Sequence, residues 1–151
     1  MRSGLLRIAP AAVAVLLAFG ATSCHSGPTS LAGQLQAWAG NAGYSGLVAQ
    51  IAADLKNLHN GYTERRLLPL RTACEGFSSD VGALYTQLPT PDRRITNELA
   101  SSLTSFFSAA VDCYKASSFS SVEFQRYQTV LRAATLTYED ALARLASYGV
   151  H

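Results

Sequence analysis

The chain has 151 residues, 48% of them hydrophobic and 15% charged, with a formal net charge of +2. Two of its 12 basic residues, Arg2 and Arg7, belong to a leader, so the remainder balances ten basic against ten acidic residues. A neutral surface lacks the basic footprint of nucleic-acid binding, and about 125 residues after the leader suffice for one core but not for two domains.

The leader comes first. Arg2 and Arg7 form a positive n-region, Ile8 to Phe19 an apolar run, and Gly20-Ala21-Thr22-Ser23 a small-residue stretch before Cys24. This is the layout of a secretion signal, which is removed and takes no part in the fold. The apolar run is shorter than the roughly 20 residues a spanning helix needs. The segment from Ala21 to Cys24 resembles a bacterial lipobox, which implies that the Cys24 thiol is lipidated and becomes the new N-terminus. The pattern departs from the family at Ala21, where a large aliphatic residue is usual, and Ala21-Thr22-Ser23 also reads as an ordinary cleavage site. Cysteine parity separates the two. The chain has three cysteines, Cys24, Cys74 and Cys113, and lipidation of Cys24 accounts for the odd one. The expectation is a signal peptide over residues 1–23 and an exported chain held by lipid on the extracytoplasmic side of the cell membrane. Stable holding takes more than one acyl chain.

Residues 24–44 read as a lipid-anchored, flexible tether, crowded with Gly27, Pro28, Gly33, Gly40 and Gly43, with room for a short helix around Leu31, Leu35 and Trp38. Residues 45–151 read as the bundle domain. Four apolar stripes follow at helical spacing. The first runs Leu47, Ile51, Leu55, Leu58, Tyr62; the second Leu70, Cys74, Phe77, Val81, Leu84, Leu88. The third runs Ile95, Leu99, Leu103, Phe106, Ala110, Cys113; the fourth Tyr127, Leu131, Ala134, Tyr138, Ala141, Leu145, Tyr148. Start signals accompany them: Ser45 as a cap, Pro69 in a first turn, Thr90-Pro91-Asp92 as cap, proline and acid, and Ser120 with Glu123 at capping-box spacing. Gly61 and Ser117-Ser118 mark breaks. Short connections make successive helices antiparallel, which predicts an all-α, up-down four-helix bundle.

Cys74 and Cys113 lie on neighbouring stripes, and export permits a disulfide. In a tight hairpin they would sit about 13 Å apart along the axis at 1.5 Å per residue, too far for a bond. The linker Leu88-Pro89-Thr90-Pro91 is biased toward extended backbone and can span about 13 Å, which brings the third helix back level with Cys74. A disulfide is predicted on that basis; two buried free thiols are the alternative. The layout of cysteines and prolines after a lipobox is similar to that of small all-helical actinobacterial lipoproteins, a group whose functions are largely unknown.

Chemistry is sparse. His25 and His151 flank the folded part and His59 stands alone within it, so protein-only metal ligation lacks a ligand set. Gly43-Tyr44-Ser45-Gly46 begins like a nucleophile elbow and fails at Leu47. No phosphate loop is present. These features predict no enzyme, no cofactor and no metal. The favoured expectation is a non-enzymatic interaction module for a protein partner in the envelope. The alternative is a carrier of a small apolar ligand, lipid-like or haem, held between helices by Tyr62, Tyr138 and His59, since bundle cores can open such slots and a tyrosine phenolate can ligate haem iron.

Overall fold

The computed structural model describes residues 30–151. The lipobox-like segment, Cys24 and His25 lie outside the described residues. Within them the chain forms five helices: α1 (Leu31–Ala42), α2 (Tyr44–Thr63), α3 (Leu67–Tyr85), α4 (Arg93–Lys115) and α5 (Val122–Ser147). Helices α2 to α5 are the four of the predicted bundle. The backbones of α2 and α3, α3 and α4, and α4 and α5 approach closely in turn, so the four run up and down in chain order.

The apolar stripes become one core. Ile51 and Leu58 of α2, Leu70, Phe77, Val81 and Leu84 of α3, Leu99, Leu103 and Phe106 of α4, and Leu145 of α5 are buried. The Phe106 ring sits edge-on to both Phe77, at 5.1 Å, and Tyr138, at 5.4 Å, tying three helices together at mid-height. Such edge-to-face pairs add to area burial about 0.5–1.5 kcal/mol each.

Cys74 and Cys113 form the predicted disulfide, with a Cα–Cα separation of 6.3 Å. The linker works as its prolines suggest, over a longer stretch. Helix α3 ends at Tyr85 and α4 begins at Arg93. Cys74 is therefore nine residues nearer its helix end than Cys113 is to its helix start, an offset of about 14 Å that the intervening segment absorbs. Thr90 is buried in that segment, its hydroxyl donating to the Asp92 carbonyl at 2.7 Å and meeting the Thr96 hydroxyl at 2.9 Å.

Helix α1 is part of the compact unit, which therefore begins well before residue 45. It lies across the end of the bundle where α3 and α5 finish. Leu35 is fully buried, the Trp38 indole N–H donates to the Gln87 carbonyl at 2.9 Å, and Gln36 donates to the Tyr148 carbonyl at 3.1 Å. The glycines that suggest a tether act here as a hinge between helices: Gly43 takes φ 61°, closes α1 and lets α2 start at the next residue. That conformation suits glycine because no Cβ clashes with the carbonyl.

Several local signals are displaced. Ser45 does not cap α2; Gly43 occupies that position without a side-chain bond. Asp92, not Thr90, caps α4 through its side chain, which accepts from the Arg94 and Ile95 N–H groups. Ser121, not Ser120, caps α5 by accepting from Phe124 N–H. Gly61 does not break a helix: α2 runs through it to Thr63, and the reversal falls at Arg65, which has φ 56°. Gly61 is buried because α3 passes so close that a Cβ there would lie 3.2 Å from the Leu70 Cα.

Candidate functional site

Three of the four sides of the bundle are closed by helix pairs whose backbones meet. The fourth, between α2 and α5, is an open groove of about 440 Å³. The α2 wall presents Leu55, Leu58, His59 and Tyr62. These residues stand at the edge of the buried stripe formed by Ile51, Asp54, Leu58 and Gly61, turned away from α3. The α5 wall presents Tyr127, Leu131, Thr135 and Leu136, with Gln128, Arg132 and Glu139 along the rim. The floor is apolar and the rim polar, as in many binding clefts.

One end of the groove is closed by aromatic rings. Tyr62 stacks on Phe124 at 5.8 Å, Phe119 meets Phe124 edge-on at 5.1 Å, and Phe124 lies 5.4 Å from Tyr127. The Arg65 guanidinium lies 5.5 Å from the Phe119 ring centre, a cation–π contact that holds the α2–α3 turn over the α4–α5 turn. Burial pushes the Tyr127 phenol up to about 12, so it keeps its proton at neutral pH.

The other charges of the bundle are mostly committed. Arg126 donates to Asp112 at 2.7 Å through Nε and a second time through the guanidinium fork; this hydrogen bond holds the Asp112 carboxyl below its ordinary range. Glu98 accepts from Arg144 of α5 at 3.0 Å and from Arg94 at 2.9 Å. Burial pushes Glu98 up, but the two guanidinium groups outweigh it and the net shift is downward. These pairs fasten α4 to α5. On the groove rim, by contrast, Arg132 and Glu139 have no ion-pair partner among the described residues.

The three residues proposed from sequence to hold a ligand are not gathered together. His59 and Tyr62 line the groove on the same wall, three residues apart, and both are exposed. Side chains one turn apart on one helix face the same side of anything bound there, so between them they could offer haem iron one axial ligand, not two. Tyr62 is 37% exposed rather than inward-facing. Tyr138 is elsewhere: it is buried under Phe106, its hydroxyl has no hydrogen-bond partner, and burial pushes it above the ordinary tyrosine range, with the nearby Tyr44 adding to the shift. It is a core residue in this fold.

The rim residues Gln128, Arg132, Leu136 and Glu139 escape a stripe analysis because they lie on the outward side of α5. One signal for them was present: Arg132 has no acid three or four residues away on either side, where a helix would normally place its partner. Asp54 also went unnoticed. It sits among buried apolar residues of α2, 7% exposed, with Oδ2 unpartnered. Among the described residues no group of three or more His, Cys, Asp or Glu is placed to hold a metal ion, and no helix is long and apolar enough to cross a membrane.

Comparison with protein-family models, with curated proteins and with solved structures finds no match to this chain.

Proposed function

We propose that the chain is exported, lipidated at Cys24 and held on the extracytoplasmic face of the cell membrane, where its bundle serves as a non-enzymatic docking module. The α2/α5 groove carries this reading. It is the open side of an otherwise closed bundle, with an apolar floor, aromatic residues at one end and uncommitted charges on its rim. Helical domains bind partner helices in grooves of this kind through apolar residues at helical spacing. The Cys74–Cys113 disulfide supports export, since such bonds persist in oxidising compartments. The uncharged run from Ile8 to Phe19 behind Arg2 and Arg7 supports the leader.

The docking reading is tested by placing a photo-cross-linking residue at Gln128 of the full chain in cells. Capture of a defined protein, lost when Leu136 or Leu55 is changed to a charged residue, is the expected result. Absence of any capture would remove the docking role. The anchor is tested separately by intact mass of the processed chain: Cys24 carrying acyl groups is expected, and an unmodified first residue would end the lipoprotein reading.

The carrier is the second reading, favoured by the groove's volume, which falls within the roughly 300–1,000 Å³ range of small-ligand sites. Native mass spectrometry separates the two. Extra mass lost on denaturation favours the carrier, and a bare protein that cross-links in cells favours the docking module.

A further inference from the structure

The outer ridge of α5 carries a pattern that reads the same in both directions. Arg132 and Glu139 stand seven residues apart, almost two full turns, and so lie on one face about 10 Å apart along the axis. Leu136, 61% exposed, lies between them. Neither charge has an ion-pair partner among the described residues, and neither has an opposite charge three or four residues away. The ridge is flanked by the α2/α5 groove on one side and by a shallower hollow on the other, where Thr129 and Ala133 accompany the shared residues Gln128, Arg132 and Leu136.

From this arrangement we infer that the occupant of the α2/α5 face is a second copy of the same chain, packed α5 against antiparallel α5 about a twofold axis that crosses between Thr135 and Leu136. A twofold interface uses the same patch twice, so each contact appears in both directions. An axis at that point sets Arg132 opposite Glu139 of the second copy, and Glu139 opposite its Arg132. The two Leu136 side chains meet beside the axis and leave water together. The small Ala133 and the neighbouring hollow leave room for the facing ridge. A foreign helix could also fill an apolar groove, but nothing about it would require opposite charges equidistant from an apolar centre. Self-pairing does require that symmetry. This inference rests on the docking role of the α2/α5 face and names what docks there. Lipid anchoring would further favour it by confining the copies to one surface and raising their effective concentration.

The pattern gives a test that a merely damaged protein cannot pass. Two differently tagged full-length copies are co-expressed in the exporting cell and co-precipitated. Wild-type copies are expected to associate. Arg132→Glu paired with itself, or Glu139→Arg paired with itself, places like charges at both symmetry-related contacts and is expected to reduce recovery at least about tenfold, equivalent to about 1.4 kcal/mol. Arg132→Glu paired with Glu139→Arg restores opposite charges at both contacts and is expected to recover association. A Leu136→Cys chain is expected to form a disulfide-linked dimer, and Ser101→Cys, on the far side of the bundle, is not. Failure of wild-type copies to associate, or failure of the mixed pair to recover, overturns the inference. If a photo-cross-linker at Gln128 then still captures a different protein, the docking role stands without self-pairing; if it captures nothing, both fall.

Discussion

Asp54 should make this protein more stable in mild acid than at neutral pH. Its carboxyl is buried on the core stripe of α2, with Ile51 and Leu58 fully buried beside it in sequence. No donor reaches its Oδ2. Burial first, then the hydrogen bond and charge of Asp80 on α3, push it from 3.8 up to about 6. The sign follows from linkage. A folded-state value above the unfolded one means that the folded protein binds the proton more tightly, so the contribution is complete below 3.8 and is lost as pH rises through about 6. A shift of about two units corresponds to roughly 3 kcal/mol at pH 7, and because Asp54 and Asp80 share the proton, about half of that is a safer figure for Asp54 alone. Most of this loss falls between pH 5 and 7.

The perturbation is Asp54→Asn. It keeps the shape, removes the charge, and offers Asp80 an N–H donor. The expected result is a gain of about 1–2 kcal/mol at pH 7, seen as a higher urea midpoint with unchanged slope, and little gain at pH 4. Wild-type stability measured by circular dichroism should fall by about 1 kcal/mol between pH 5 and 7, and that fall should be absent in the variant. A wild-type curve flat across this window, or a variant less stable than wild type at pH 7, would refute the reasoning.

Three further outcomes are expected. Gly61→Ala should destabilise by about 1–2 kcal/mol in denaturant melts: the new Cβ meets the Leu70 backbone at 3.2 Å, and α3 is pinned one turn on by the Cys74 disulfide, so overpacking outweighs the helix-propensity gain of about 1 kcal/mol. Replacing Cys74 and Cys113 together by Ala should cost about 4 kcal/mol, the closure entropy of a loop with its ends 39 residues apart; thermal melts with and without reductant check it, and equal midpoints would contradict it. Ser121→Ala should cost about 1 kcal/mol and Ser120→Ala less than about 0.5, because only the Ser121 hydroxyl accepts from Phe124 N–H; the reverse order would return the cap to Ser120.

Fold class, the four bundle helices and their order were legible from periodicity, because burying one face of a helix requires apolar residues every three or four positions. The disulfide was legible too, because 1.5 Å per residue fixes how far along a rod each sulfur lies. The proline-rich linker then supplies the missing length. Capping positions were legible only to within a residue or two: Ser120 and Ser121, or Thr90 and Asp92, offer equivalent oxygens, and packing chooses between them. Gly61 illustrates the opposite case. A glycine in a helical stretch reads as a break, yet here it is the contact point where two backbones approach.

The candidate site was hardly legible at all. A stripe tells which residues leave water, not which two of four helices stand apart, and the gap between α2 and α5 exists only once the other three sides have closed. The same closure sends Tyr138 into the core while leaving Tyr62 and His59 at a rim, although Tyr62 and Tyr138 both lie on apolar stripes in the sequence. Local spacing thus determined the elements, because a helix is a contract between near neighbours along the chain. Only the tertiary structure decided which carboxylates are buried, which charges find partners and which face stays open, because those depend on residues dozens of positions apart competing for the same space.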